Sequence, residues 1–271
     1  MRQVRADIDQ FHVHSDPRVY LHYMPGLKHL LSTTLCLLAW AASAQQGGDL
    51  QAQILYAFHS EDTNQLNTLV QTMSTQVQAG NADNDLRYHL AHAEYRLGLL
   101  ADAKHSHEAE AAFSGCVEQL KPLLQQNADS VEALVLQSVC YANLAKFSRL
   151  EGMLLRSRAA ERLSAAAKLA PRNPRVVYLE ATDALGSAKP GTPESKKAYE
   201  ELQHAVQLFE QSSATSIEVP GWGHAEAYLD FGRQLQARGD ILGARNWIEQ
   251  SLIVAPNFKA AERQLATLIQ R

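Results

Sequence analysis

Two pairs of histidines are the side chains whose type and spacing come nearest to metal-binding chemistry. His89 and His92 are three residues apart, which places both on one face of a helix, and His105 and His107 precede two glutamates. Zinc sites combine histidine and cysteine ligands at characteristic spacings that these pairs lack, and side chains two residues apart on a helix diverge. We therefore predict no metal site and no cofactor.

Catalytic motifs are also missing from the sequence. It contains no Gly-rich phosphate loop, no G-x-S-x-G nucleophile elbow and no H-E-x-x-H motif. Its 25 basic and 29 acidic residues give a net charge of −4, whereas nucleic-acid-binding domains are strongly basic. The sequence thus predicts a protein that is not an enzyme and does not bind nucleic acid.

Two cysteines, Cys116 and Cys140, lie twelve residues on either side of Ala128, where a turn joins two predicted helices. In an antiparallel helix pair this symmetry places the two residues at the same height, and both fall on the apolar stripe of their helix. Packed helix axes are ~8 to 10 Å apart, which brings facing Cα atoms within the range of a disulfide. The alternatives are a disulfide, formed in an oxidising compartment, and two buried thiols in contact.

The N-terminal region has the three parts of a secretory signal peptide between Met24 and Ala44. Lys28 precedes an apolar run over about residues 30–41, and the small residues that end at Ala44 fit the cleavage rule. The run is too short to span a bilayer of ~30 Å. These features predict a secreted or periplasmic mature chain that begins at Gln45 and has no membrane span. The alternative is a buried first helix of the fold.

A stretch of 23 residues precedes this signal. We interpret it as sequence upstream of the true start at Met24, so that His12 and His14 form no metal site. The alternative is a long cytoplasmic extension. The predicted domains are an extension and signal peptide at 1–44, N-terminal capping helices at 45–83 and a helical repeat domain at 84–271.

The remaining chain is rich in Ala, Leu, Gln, Glu and Arg and lacks alternating strand patterns, which predicts an all-α fold. Asp129 and Glu132 have capping-box spacing, and Asn173 and Thr192 each precede a proline that suits the first helical position. These starts predict successive antiparallel helix pairs. The repeat distance is 44 residues in the first units, measured between Asn84, Ala128 and Arg172.

A tighter unit of about 34 residues begins at Ala225. Bulky residues, small residues, a Gly-Asp turn and a final proline follow one another in it at Tyr228, Phe231, Gly232, Leu235, Gly239, Asp240, Ala244, Ile248, Ser251 and Pro256. This order and spacing resemble the tetratricopeptide repeat (TPR). Residues 95–103 look like the hairpin of another repeat, and Ala159, Leu163, Ala166 and Pro171 match the second helix of a third.

The resemblance covers about residues 84 to 270 and implies an α-solenoid of stacked antiparallel helix pairs in a right-handed superhelix. It also implies a concave surface, lined by the first helix of each pair, that binds a peptide or a partner protein. The family's clamp for C-terminal carboxylates uses Lys and Asn, and that clamp is absent from the final unit. We expect Glu226, Asp230 and Arg233 to line the groove there, and Trp222 to orient this unit by being buried.

The predicted localisation and the predicted fold together favour an exported scaffold for protein–protein interactions in the cell envelope. The alternative is an accessory protein of a solute uptake system that associates with a substrate-binding protein, as some exported TPR proteins do. Neither hypothesis identifies the partner.

Overall fold

A computed structural model describes residues 50–80, 83–101, 106–213 and 221–269, which form eleven α-helices and no strand. The predicted signal peptide, the upstream extension and His105 lie outside the described residues. The helices are α1 (residues 50–59), α2 (Thr63–Gln78), α3 (Asn84–Ala101), α4 (His107–Gln126), α5 (Val131–Leu144), α6 (Gly152–Leu169), α7 (Pro174–Ser187), α8 (Pro193–Ser213), α9 (His224–Ala237), α10 (Ile241–Val254) and α11 (Lys259–Ile269).

Side-chain caps set the starts of several helices. Asn173 accepts a hydrogen bond from the backbone N–H of Arg175 at 2.9 Å and precedes Pro174, which needs no N–H partner at the first helical position. Asp240 accepts one from the backbone N–H of Gly243, also at 2.9 Å. These caps divide the chain where the sequence predicted helix boundaries.

The capping box predicted at Asp129 is wrong. Ser130 is the N-cap of α5 and makes no side-chain cap bond. The Glu132 carboxylate instead accepts a hydrogen bond from Nε of Arg175 at 2.8 Å. A residue that looked like a local cap therefore joins two successive helix pairs, α5–α6 and α7–α8.

The helices pack as five antiparallel pairs, α1–α2 to α9–α10, and α11 covers the last pair. Close approach within a pair depends on glycine. A Cβ added at Gly232 of α9 would lie 2.7 Å from Cγ1 of Ile248 in α10, and one added at Gly98 of α3 would lie 2.6 Å from the ring of Phe113 in α4. The architecture is the α-solenoid that the sequence predicted.

The two ends of this solenoid are in contact with each other. Nδ2 of Asn257, just before α11, donates a hydrogen bond to the backbone carbonyl of Tyr56 in α1 at 2.8 Å. The rings of His59 and Phe258 have centroids 4.5 Å apart. The first helix pair, predicted as a simple N-terminal cap, thus also packs against the C-terminal unit.

No helix in the described part of the chain is both long and apolar enough to cross a membrane.

Candidate partner-binding site

The predicted groove residue Glu226 lies inside the solenoid rather than on an open surface. Its Oε1 is 2.6 Å from Nη2 of Arg96 in α3 and 3.7 Å from Nε2 of His59 in α1. Its Oε2 accepts a hydrogen bond from the backbone N–H of Gly223 at 3.1 Å. The side chain is 15% exposed, so it binds the chain's own N-terminal helices instead of facing a partner.

Electrostatics keep this internal carboxylate ionised. Burial by itself raises the pKa of Glu226, but the Arg96 guanidinium and the nearby His59 imidazole outweigh it and hold that pKa well below its ordinary value. The guanidinium also lies 4.3 Å from the ring centroid of Phe58 and 5.7 Å from that of Trp222. The ion pair is therefore enclosed by aromatic rings.

The other two predicted groove residues, Asp230 and Arg233, lie further along α9, the helix that carries Glu226. Asp230 accepts a hydrogen bond from the hydroxyl of Tyr178 at 2.7 Å and another from Nη1 of Arg233 at 2.9 Å. Burial and the neighbouring Asp230 carboxylate raise the pKa of Tyr178 well above its ordinary value, so this hydroxyl remains a donor. Arg233 is 44% exposed and alone among the three presents much of its surface to solvent.

Trp222 is buried and fixes the start of α9 against the N-terminal half. Its indole Nε1–H donates to the hydroxyl of Tyr88 in α3 at 3.0 Å. Its ring lies 5.9 Å from the ring of His92, and Arg175 approaches it at 5.6 Å. The segment before α9 thus packs between helices that are distant from one another in the sequence.

The histidines that the sequence singled out are part of this packing. His92 is fully buried and its Nε2 accepts a hydrogen bond from Nε of Arg96 at 3.0 Å. Burial and the Arg96 charge hold the pKa of His92 well below its ordinary value. His89 lies 3.4 Å from Asp85 one turn earlier on α3. Both imidazoles therefore have partners within the chain.

Sequence reasoning missed Arg96, the residue that organises this interior. It stands in a stretch read as the hairpin of a repeat, where a charged side chain is expected to face water. Its partners Phe58 and Glu226 lie 38 residues before it and 130 residues after it in the sequence. The signal available in the sequence was the aromatic residue Tyr95 directly before it, because arginine side chains pack on aromatic rings.

An open cleft lies between α5, α6 and α7, with a volume of about 540 Å³. α6 and α7 touch each other only sparsely, unlike the helices within each pair. Small side chains line much of the cleft, and Arg156 and Asp183 carry opposite charges in its wall. The lining residues are Ser138, Val139, Ala142, Arg156, Ala159, Ala160, Leu163, Leu179, Thr182 and Asp183.

This cleft has the properties of a peptide or helix site. Alanines and serine let a partner backbone approach closely, while Val139, Leu163 and Leu179 supply an apolar floor. The two charges would fix the orientation of a bound segment, because its acidic group would lie against Arg156 and its basic group against Asp183. None of the three predicted groove residues lines it.

Cys116 and Cys140 are joined in a disulfide in this structure, with Cα atoms 6.3 Å apart. Both residues are fully buried in the largest apolar cluster. The bond links α4 to α5 and so connects two successive helix pairs.

No protein-family model matches the chain, and no curated protein matches it. Among solved structures, it is similar to a thermophilic TPR protein of Thermus thermophilus. That comparison has a TM-score of 0.55 and 18% sequence identity, and it covers 84% of this chain and all of the other. The likeness shows a TPR-like fold.

Proposed function

We propose that this protein is an exported scaffold of the cell envelope that binds a segment of a partner protein in the cleft between α5, α6 and α7. The observation that carries the proposal is the contrast between the filled interior around Arg96 and Glu226 and this open cleft. In a TPR-like solenoid the partner surface is expected along the first helices of the pairs. Two first helices, α5 and α7, supply six of the ten residues that line this cleft, and the second helix α6 supplies the other four.

Export is a separate element of the proposal and is supported by the signal-peptide features between Met24 and Ala44. Cell fractionation with N-terminal sequencing tests it. We expect the protein in the periplasmic fraction with Gln45 as its first residue. Recovery in the cytoplasm with the segment from Met24 to Ala44 still attached would contradict export but would leave the cleft proposal standing.

Site-specific crosslinking tests the cleft. A photoreactive residue at position 160, inside the cleft, should capture one partner in envelope extracts, and the same residue at exposed position 266 of α11 should not. Ala160→Trp should fill the cleft and abolish capture by a probe at Ala142, whereas Ala266→Trp should leave it unchanged. Equal capture from both probe positions would overturn the cleft as the binding site.

A further inference from the structure

Three large apolar side chains protrude at the corner between α5 and α6. Leu150, in the connecting turn, is 96% exposed, and Met153 and Leu154, in the first turn of α6, are 76% and 53% exposed. Single exposed apolar residues are ordinary on a protein surface, whereas three neighbouring ones mark an interaction site. We call these three residues the apolar corner.

The segment that contains the apolar corner and α6 is basic, whereas the rest of the chain is acidic. Residues 146–172 contain seven of the 25 basic residues and two of the 29 acidic ones, for a local charge of +5. The remainder therefore holds 18 basic and 27 acidic residues and carries −9. The seven basic residues are Lys146, Arg149, Arg156, Arg158, Arg162, Lys168 and Arg172.

α6 therefore combines two properties on its solvent side. Its inner face, with Leu155, Ala159 and Ala166, is buried in the core. Its first turn and the turn before it present the apolar corner, flanked by exposed Arg149, Glu151 and Arg158. An apolar anchor surrounded by cations is the pattern of segments that lie on anionic membrane surfaces.

We propose that the apolar corner docks on a bilayer that contains anionic phospholipid, with its three side chains inserted among the headgroups and the α6 cations above the lipid phosphates. The charge distribution orients the molecule, because the −9 remainder is repelled from the same surface. This inference goes beyond the proposed scaffold function and does not depend on the partner in the cleft.

The shape of the surface favours a membrane over a protein partner. Leu150 has almost no contact with its neighbours, so the patch is a protrusion rather than a groove into which a peptide could lie. Inserted side chains need no complementary partner surface, whereas a stable protein interface buries roughly 800 Å² per partner. A protruding corner of three apolar residues fits the first case.

An environment-sensitive fluorophore at the corner tests this directly in the mature chain that begins at Gln45, which lacks Cys36 and the apolar run at residues 30–41. Met153→Cys provides the attachment point, and Ala266→Cys on α11 provides a matched label remote from the corner in sequence. The probe vesicles are phosphatidylcholine alone and phosphatidylcholine mixed with phosphatidylglycerol. We expect the label at 153 to shift to the blue only on phosphatidylglycerol vesicles, and the label at 266 not to shift.

Removal of charge should weaken this docking. Arg149→Gln combined with Arg158→Gln should reduce the affinity for phosphatidylglycerol vesicles by about fivefold for each cation, and raised salt should act in the same direction. The matched control, Lys196→Gln with Lys197→Gln on α8, removes the same charge elsewhere and should have little effect. Neither pair contains a residue of the cleft.

Two results would overturn the proposal. The first is an unshifted label at 153 on phosphatidylglycerol vesicles. The second is a blue shift without vesicles that grows with protein concentration, which would make a second copy of the chain the occupant of the corner.

Discussion

Arg96 in α3 and Glu226 in α9 form an internal ion pair, with N and O atoms 2.6 Å apart, although 130 residues separate them in the chain. His59 of α1 approaches the same carboxylate. The pair therefore connects α1 and α3 to the last unit.

Loss of one member of this pair should destabilise the whole chain. Glu226→Gln leaves the buried Arg96 guanidinium without its counter-charge, and we expect a loss of about 3 to 5 kcal/mol in the free energy of unfolding. The matched control is Arg245→Gln, which breaks an exposed pair with Glu249 and should cost less than about 1 kcal/mol. Urea unfolding followed by circular dichroism measures both. Equal effects would show that the internal pair is not a structural link.

The same pair gives stability a pH dependence at the acid end. The pKa of Glu226 is lowered in the folded chain, so its contribution is present above the unfolded pKa, near 4.3, and is lost as the pH falls through the folded value. Below about pH 4 the wild-type chain should therefore lose stability faster than Glu226→Gln. Parallel curves for the two proteins would contradict this assignment.

Glu94 in α3 should show the opposite behaviour. Burial raises its pKa to about 8, and its Oε2 finds no hydrogen-bond partner among the described residues. Between the unfolded pKa and pH 8 the unfolded chain binds fewer protons than the folded one, so stability falls as pH rises through this window and levels off above it. Ionisation of Glu94 in its buried position is the physical cause.

Glu94→Gln mimics the protonated carboxyl and should remove this dependence. We expect the variant to match wild type at pH 4 to 5 and to be more stable by about 2 to 4 kcal/mol at pH 8. Thermal unfolding across this pH range measures the difference. A constant difference at all pH values would indicate a packing effect instead, since this carboxyl packs closely against Gly115.

Much of the fold was predictable because it is local. Gly239 and Asp240 make the turn between α9 and α10, and Ala244 is fully buried where the two helices meet. Such features lie within one repeat and leave a periodic trace in the sequence. The contact between Arg96 and Glu226 leaves no such periodic trace, because no spacing rule connects α3 to α9. For the same reason the sequence did not reveal that Glu226, expected in the groove, pairs with Arg96 inside the chain.

The disulfide between Cys116 and Cys140 gives a prediction about redox conditions. Reduction opens a covalent link that spans 24 residues in the apolar core, which should cost about 2 to 4 kcal/mol of unfolding free energy. Thiol titration of the denatured, unreduced protein should find neither cysteine reactive, and reduction should lower the melting temperature. Cys116→Ala with Cys140→Ala should melt like the reduced protein. Two reactive thiols from these positions would show that the bond does not form.

The close approach of α9 and α10 can be tested by adding a single methyl group at Gly232. Gly232→Ala places its Cβ 2.7 Å from Ile248 and 3.1 Å from the backbone carbonyl of Ala244, and the backbone cannot yield as a flexible side chain would. Overpacking should therefore outweigh the better helix propensity of alanine and cost about 1 to 3 kcal/mol. Gly186→Ala in α7, where an added Cβ meets no atom within 4 Å, should instead stabilise the chain by up to about 1 kcal/mol. Opposite signs in urea unfolding would establish helix contact, rather than backbone entropy, as the reason for glycine at 232, whereas stabilisation by both variants would contradict the packing.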